Sequence, residues 1–586
     1  MRIALCGWLL LVVAALPWLF GGVDMSTRAW LCLGLLPPVL GGIFYWREVA
    51  EASRLIRFPL LLFAAAVGLG AWQLWTYDSA GSPAGELRAW FAAEPEAATD
   101  PMPRSVHAPA TRRDLALLAA AAASFLLGAV FFGRTRALTI LMAVLTVVAV
   151  AVACFGLNHR ASPTPWSYGG MSAPSGTQPF GPFISRNNAA GFLCIGLAAA
   201  SGLLLFRAER LRKRSLGSRQ RGNTTFLQAV LLDPLLLTLL TCVLLLAAAV
   251  VGTLSRGGML AAILGFGAAV LCFSLVRQSS FYFWPIAASS ALILAFVTWL
   301  GLGDAAAVRW NNAVDAAQRG EGRLLLWQEC LEAAKVYPWT GSGLGTFYYG
   351  HAPFQRHRTL GMYRYGESQY FDALVVGGCA GLSLLVLLGV YCCRSIPALM
   401  RSAESSEQSG VAFAAANLIF MQFIYGMFDF GWYLPANFIP LCLWCGGLAR
   451  LAAERRKHQR VRTRQSSSKT SPEGRTVTAS KSENQAGRAP VGMRRPTEPA
   501  VDEPEQDSPR YTSPGVIPTV VGVALPLVLA LGLLAAFRET RQRRPRRSGR
   551  SRFSVAPGAR CNSVDCRNGC GAQSTSNGDR RLSGRR

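Results

Sequence analysis

Three arginines of this chain stand beside long apolar runs, where a charged side chain is costly and usually has a partner or a task. Arg186 follows Pro182-Phe-Ile-Ser185, Arg256 is the only charge in the tight turn Thr253–Gly258, and Arg323 lies in a long polar segment. Guanidinium groups hold phosphates in bidentate pairs, and no acidic cluster accompanies these arginines in the sequence. The residues therefore predict a site in which arginines, without a metal, bind a diphosphate.

Side chains next to the arginines could contact the same ligand. Asn187 and Ser255 are direct neighbours of two of them, and Trp327 lies one helical turn after the third. Simpler interpretations exist at two positions. Arg186 could extend to the membrane interface behind a helix cap, and Arg256 could be an interface anchor.

A candidate base lies in Tyr363–Asp372, the polar segment that leads into a further apolar run. Glu367, a carboxylate near arginines, could act as a general base towards a hydroxyl group, with Tyr370 contacting the substrate. The alternative is that Glu367 only favours a helix N-terminus electrostatically. His351 and His357 are alternative bases in the same loop.

The long polar segment has two further features. Residues Ala305–Val336 show helical apolar spacing, which predicts one apolar face formed by Leu324, Trp327, Leu331 and Ala334. After this helix, Tyr337–Phe347 carries three alternate glycines, Gly341, Gly343 and Gly345, superficially like a phosphate-binding loop. No β-strand precedes them, so the pattern favours tight turns over a nucleotide site.

The elements that position these residues are apolar runs. The chain has 586 residues, 51% of them hydrophobic and only 16% charged. Many runs reach the roughly 20 residues that cross a bilayer as a helix. We predict an all-α polytopic membrane protein with about 12 transmembrane helices between Met1 and Leu451, and a thirteenth if Val516–Phe537 also crosses. Met1–Phe20 can be read as a signal peptide, but a retained first helix is favoured.

The distribution of basic residues predicts the orientation. Arg207–Arg221 carries seven arginines and lysines against one acid, so this loop should be cytoplasmic. Counting spans from it places other basic loops inside as well, at Arg47–Arg57, Arg134–Arg136, Arg277 and Arg394–Arg401. The candidate residues then all fall outside, in the turn Ser255–Gly257 and the loops Thr76–Asp114, Gly156–Asn187 and Gly301–Tyr370.

The C-terminal part differs in composition. Residues 452–513 predict a disordered cytoplasmic linker, 514–537 the extra helix, and 538–586 a disordered basic tail. Linker and tail hold +16 of the formal net charge of +27, which argues against nucleic-acid binding and favours contact with membrane lipids. Most cysteines lie in apolar runs, and the tail cysteines fit no common zinc spacing.

The motifs together resemble the O-antigen ligase and O-antigen polymerase superfamily of bacterial envelope glycosyltransferases. The resemblance covers about 183–384 and lies in the order and sidedness of Pro182–Gly191, Leu254–Gly257, Gly322–Leu324 with Trp327, Pro338–Phe347, and Glu367–Tyr370 with Gly377 and Gly381. The membrane domain would be residues 1–451, with a ligase-like core at 183–384 and a large helical outer loop at 301–370.

The resemblance implies an activity and its location. A metal-independent enzyme without cofactors would take a glycan from undecaprenyl diphosphate and pass it to an acceptor hydroxyl of a glycan, lipid or protein. The site would face the periplasm from the bacterial inner membrane. Arg186 and Arg256 match positions that would bind the diphosphate, whereas Glu367 stands where relatives commonly have a histidine.

Several alternatives remain open at this level. A polymerase of the same superfamily joins glycan repeats by similar chemistry. A lipid or glycan transporter would favour polar residues deep in the spans, of which the sequence shows few. The Glu367 departure, and Asn188 where relatives often have histidine, also leave room for an inactive membrane protein.

Overall fold

A computed structural model describes residues 1–23, 25–75, 105–162, 166–172, 177–219, 228, 232–278, 323–356 and 363–469. The apolar run Phe281–Leu300, which is long enough to be one of the predicted spans, lies outside the described residues. The predicted extra helix at 514–537, the basic tail and His357 also lie outside them. So do part of the outer loop and most of the linker.

The described chain is almost entirely helical. In chain order the helices are α1 Arg2–Ala15, α2 Met25–Gly41, α3 Trp46–Leu55, α4 Arg57–Trp75, α5 Ala108–Phe132, α6 Thr135–Ala161, α7 Arg186–Arg219, α8 Pro234–Gly252, α9 Arg256–Arg277, α10 Arg323–Val336, α11 Phe347–His351, α12 Gln369–Arg401, α13 Ser406–Phe428 and α14 Pro435–Lys469. Short 3-10 turns occur at Leu16–Trp18, Phe20–Gly22, Gly42–Tyr45, Ala352–Phe354 and Gly431–Tyr433. A small antiparallel hairpin pairs β1 Ser167–Tyr168 with β2 Met171–Ser172.

Within the described residues, nine helices are long and apolar enough to cross a membrane, and Arg2–Trp18 and Trp30–Gly41 are shorter apolar helices. Such runs form helices because backbone groups in lipid must be satisfied within the segment. The prediction of an all-α polytopic membrane protein is confirmed. The count of about 12 or 13 spans stays a prediction.

Helix α7 lies at the centre, and small residues let its neighbours approach closely. A Cβ built on Gly202 would come within 2.7 Å of the Gly410 carbonyl oxygen, and one on Gly410 within 2.6 Å of the Gly202 oxygen. Where helices cross in a membrane, such glycines permit backbone contact. Helices α7 and α13 therefore form one rigid antiparallel pair.

The bundle has a basic end, defined here by the turns that carry Arg134, Arg277 and Arg401. Arg277 Nη1 donates to the Ala403 oxygen at 2.8 Å, and Arg455 Nη2 lies 3.4 Å from Thr135 Oγ1. The turn at Arg277 therefore lies beside the one at Arg401, and the turn at Arg134 lies beside α14. The cytoplasmic orientation stays a prediction. The candidate residues lie at the opposite end.

The structure adds detail to one predicted helix and differs from the prediction at one element end. In α10 the buried residues are Leu326, Glu329, Cys330 and Ala333, whereas Leu324 and Leu331 are about half exposed. The buried side of α10 packs against α11 and α12. The linker predicted from residue 452 is helical as far as Lys469, since extending an existing helix costs far less than starting one.

At the opposite end, the loop after α10 is built into the bundle. Helix α12 is broken at Gly378, where φ is +59°. Beyond the break, the Cys379 and Ala380 amides donate to the Pro338 and Trp339 oxygens at 2.8 and 3.0 Å. The loop carbonyls thus replace the acceptors that a continuous helix would have supplied.

Candidate functional site

The C-terminal end of α13 is the point where the candidate segments meet. The Tyr425 hydroxyl lies 2.9 Å from the Asn187 carbonyl oxygen and also contacts the Asp429 carboxyl group. Gly191 and Gly431 leave room for the ring, because a Cβ on either would come within 2.7 Å of it. Tyr425 therefore ties the start of α7 to the segment that follows α13.

Two further helices begin against the same point. A Cβ on Gly257 would come 2.5 Å from Phe428 Cβ, and one on Gly258 would come 2.4 Å from Ala190 Cβ. Ser368 Oγ lies 3.4 Å from the Gly426 oxygen. The first turns of α7, α9 and α12 thus surround the last turn of α13.

This convergence has an electrostatic consequence. Each helix N-terminus carries a partial positive charge and unpaired backbone amides, which favour anions. Arg186 and Arg256 stand at the first residues of two of these helices, and both are partly exposed. The arrangement can attract a phosphate group by amides and guanidinium groups together.

Ser255 is the N-cap of α9. Its Oγ accepts from the Gly258 amide at 3.2 Å, and the residue is only 3% exposed. The preceding residue, Leu254, has φ +53°, so the turn enters α9 in a left-handed conformation. The structure gives Ser255 a capping contact that fixes the direction of Arg256.

Glu367 and Arg323 form an ion pair at the edge of this region. Arg323 Nη2 lies 2.8 Å from Glu367 Oε2, and both side chains are 28% exposed. Glu367 has φ +48°, a left-handed conformation that a residue with a side chain adopts at a cost of about 1–3 kcal/mol. Strain held at a polar, accessible position is typical of functional sites.

Asp372 fixes the turn that presents Glu367. Its Oδ1 accepts from the Gly366 amide at 3.1 Å, and its Oδ2 accepts from the Tyr433 hydroxyl. The side chain is fully buried. Asp372 is therefore a structural carboxylate between the starts of α12 and α14.

Asp429 is a site residue that the sequence analysis missed. It is 1% exposed, and its pKa is raised to about 7 by burial and, secondly, by the Glu367 charge. A hydroxyl has one proton, so if Tyr425 donates to Asn187, a protonated Asp429 can supply the other hydrogen bond. The signal was present, because Asp429 is the only acid between Glu407 and Glu454.

Two predicted substrate-binding residues make contacts within the protein. Trp327 stacks on Phe371 with 5.1 Å between ring centroids, inside a small apolar cluster. The Tyr370 hydroxyl donates to the Phe423 oxygen at 2.9 Å. Both side chains position the segment around Glu367, and a direct substrate contact stays a prediction for each.

His351 is buried in the outer loop. It is 0% exposed, with Nε2 3.2 Å from Glu329 Oε2 and its ring stacked on Phe347. Burial lowers its pKa to about 4. A ligand in solvent cannot reach this ring, so of the two candidate bases Glu367 is the more exposed.

The glycines at 341, 343 and 345 form tight turns, as predicted. All three have positive φ. A Cβ on Gly341 would come 2.2 Å from the Val376 carbonyl carbon, and one on Gly345 would come 2.5 Å from Asp114 Oδ2. The close approach to protein backbone and side chain explains the glycines without a bound nucleotide.

Residues 241–386, about a quarter of the chain, match the family model described as O-Antigen ligase. The matched segment is similar to O-antigen ligases, the family that the motifs of the sequence resemble. A comparison with curated proteins finds no match. The match to the family model confirms the resemblance seen in the sequence.

Most of the predicted site falls in the matched segment, namely Ser255, Arg256, Arg323, Trp327, Glu367 and Tyr370. Arg186 and Asn187 precede it, and Asp429 follows it. The structure joins them to it through Tyr425 and the end of α13. Among the described residues, no group of three His, Cys, Asp or Glu side chains could hold a metal ion.

Proposed function

We propose that this protein is an O-antigen ligase-like glycosyltransferase. It takes a glycan from undecaprenyl diphosphate and joins it to an acceptor hydroxyl, on the periplasmic face of the bacterial inner membrane. The observation that carries the proposal is the meeting of Arg186, Arg256 and three helix N-termini beside the Arg323–Glu367 pair. The family match supports the same reaction class.

The donor diphosphate binds at the N-termini of α7 and α9. Arg186 and Arg256 form bidentate hydrogen bonds with its oxygens, and the helix ends add their partial charges. When the glycosidic bond breaks, negative charge grows on the departing phosphate oxygen. Preorganised cations around that oxygen stabilise the transition state more than the ground state.

Glu367 accepts the proton of the acceptor hydroxyl. The hydroxyl oxygen attacks the anomeric carbon, the bond from that carbon to the diphosphate breaks, and the sugar inverts. Glu367 is paired with Arg323 in the free protein, so the guanidinium occupies the carboxylate before the donor binds. Donor phosphate competes for Arg323, so binding of the donor releases Glu367 for proton transfer.

Asp429 is a positioning residue in this scheme. It is too deeply buried to touch an acceptor. It contacts the Tyr425 hydroxyl, and the negative charge of Glu367 helps to raise its pKa. Its contact with Tyr425 holds the start of α7, and with it Arg186, against α13. Loss of this contact would displace the diphosphate site rather than remove a reacting group.

The test is reconstitution of the purified full chain with a lipid-linked glycan donor and an acceptor glycan. Expected products are free undecaprenyl diphosphate and a glycan joined once to the acceptor. Successive addition of repeats to one glycan would identify a polymerase. No release of undecaprenyl diphosphate under any acceptor condition would contradict the enzyme proposal and favour a transport or interaction role.

A further inference from the structure

The basic end of the bundle contains a crevice that plays no part in the proposed reaction. It has a volume of about 540 Å³ and lies between the α3–α4 junction, α12 and α14. Three cations line its mouth, Arg54 on α3 and Arg456 and Lys457 on α14. Among the described residues that line the crevice, none is acidic.

The mouth is built from both aromatic and basic groups. Phe58 and Tyr391 face each other across it with 5.6 Å between ring centroids. Arg456 Nη2 lies 3.2 Å from Ser395 Oγ and 3.4 Å from the Arg394 oxygen, which holds the guanidinium over the opening. Such a mouth combines fixed positive charge with apolar walls.

The crevice continues into an apolar cavity inside the bundle. Pro59, Tyr391 and Ala452 line both, and the inner cavity extends along α14 to Phe438. On α14, Phe438 and Ala452 lie 14 positions apart, which is about 21 Å at 1.5 Å per residue. The walls are mainly side chains of α4, α12, α13 and α14, with Phe125 of α5 and Trp432, and nearly all are apolar.

We propose that this crevice binds an anionic glycerophospholipid of the inner leaflet. Its phosphodiester lies between Arg54, Arg456 and Lys457, and one acyl chain fills the apolar cavity. Basic pockets between helices on the cytoplasmic side suit anionic lipid headgroups, and the basic end is the one predicted to be cytoplasmic. A free phosphate would leave the apolar cavity unfilled.

A lipid bound there would join α3 and α4 to α12 and α14. A ligand that binds only the folded state stabilises that state in proportion to the logarithm of its concentration over Kd. The inference does not depend on the proposed glycosyl transfer. Its failure would leave that function intact, and a failed transfer assay would leave the lipid site intact.

The test compares phosphatidylglycerol with phosphatidylethanolamine of the same acyl chains, each added to the delipidated full chain in detergent. We expect phosphatidylglycerol to raise the unfolding temperature about 2–4 °C more than phosphatidylethanolamine. The triple variant Arg54→Gln, Arg456→Gln, Lys457→Gln should lose that difference. A matched control, Arg134→Gln, Arg136→Gln, Arg401→Gln, removes three exposed cations from the same end and should retain it.

Three results would overturn the proposal. They are equal shifts with both phospholipids, a triple variant that keeps the phosphatidylglycerol effect, and a shift reproduced by inorganic phosphate or by a polyprenyl phosphate alone. Native mass spectrometry of the wild type decides the case if the triple variant does not fold. Phosphatidylglycerol must then remain bound at a collision energy that removes phosphatidylethanolamine.

Discussion

Arg323 Nη2 and Glu367 Oε2 lie 2.8 Å apart, although 44 residues separate them in the chain. The contact closes the outer loop onto the start of α12, beside the buried Asp429 carboxyl group. Both side chains keep more than a quarter of their surface exposed, so a ligand can reach either. A donor phosphate can therefore replace Glu367 as the partner of Arg323. The first two predictions depend on this exchange of partners.

Replacing Glu367 separates its chemical role from its structural role. Glu367→Gln keeps size and most hydrogen bonding but cannot accept a proton, so transfer should fall roughly 10²–10⁴-fold. Glu367→His should retain part of the activity. If Glu367 only favours the helix end, transfer is nearly unchanged and stability falls by about 0.3–1 kcal/mol. Donor turnover and thermal unfolding measured on the same variants distinguish these outcomes.

Removing Arg323 should affect donor binding and the base in opposite ways. Arg323→Gln frees the Glu367 carboxylate from its ion pair, but the donor loses a phosphate contact. We expect KM for the donor to rise while kcat falls less than in Glu367→Gln. Steady-state kinetics over a range of donor concentrations measure this. A fall in kcat equal to that of Glu367→Gln, with KM unchanged, would contradict the exchange.

Arg256 should be indispensable for transfer. Arg256→Ala removes a guanidinium from the diphosphate site, and loss of one such preorganised group typically costs about 10²–10³-fold in rate. Arg256→Lys should also be poor, because a point charge cannot replace a bidentate fork. Arg136→Ala, an exposed arginine at the basic end, serves as the control. Near-normal transfer by both Arg256 variants would leave Arg256 as an interface anchor.

Asp429 should make stability depend on pH. Its ordinary pKa of 3.8 is raised to about 7 in the folded protein, so the folded state holds this proton more tightly than the unfolded state. The contribution of Asp429 to the free energy of unfolding is therefore fully present below pH 4 and is lost as pH rises to about 7. Unfolding temperatures of the wild type should therefore fall relative to Asp429→Asn across this range. Parallel curves for the two proteins would show that Asp429 is not protonated in this way.

The orientation can be tested with single cysteines on exposed residues. Among the described residues, Cys32, Cys379 and Cys393 are exposed. They and the tail cysteines Cys561, Cys566 and Cys570 are first replaced by serine. Trp339→Cys, 71% exposed at the site end, should react with a membrane-impermeant maleimide added to intact spheroplasts. Leu232→Cys, 78% exposed at the basic end, should react only after the membrane is opened. The reverse pattern would place the proposed site in the cytosol.

The sequence predicted the elements better than their contacts. Apolar length defined the spans, and the isolated charge in Thr253–Gly258 identified the turn with Arg256. The Arg323–Glu367 pair was not predictable as a contact, since residues 44 apart meet only through tertiary packing. A charged side chain beside an apolar run is costly and usually has a partner or a task. Asp429 was missed because this reasoning was applied only to arginines, although it holds equally for an acid between two apolar runs.

The buried side of α10 and the end of α14 were not predictable for a different reason. Apolar spacing placed four residues on one face of α10, but spacing does not say which neighbour a helix meets. Charged residues after Leu451 suggested an end to the fold, yet arginine, lysine and glutamate are good helix formers and continue α14. The composition of a segment describes that segment alone. Whether residues after Leu451 are helical depends also on the helix that precedes them.

The break in α12 at Gly378 limits how the site can admit its substrates. Two amides beyond the break are satisfied only by the Pro338 and Trp339 carbonyls among the described residues. Lifting this part of the loop would leave both donors unpaired near the hydrocarbon region, at a cost of several kcal/mol each. Residues 338–341 are thus a fixed wall and not a lid. A bulky acceptor must approach past some other boundary of the site, and a crosslink that pins this wall to α12 should leave turnover unchanged.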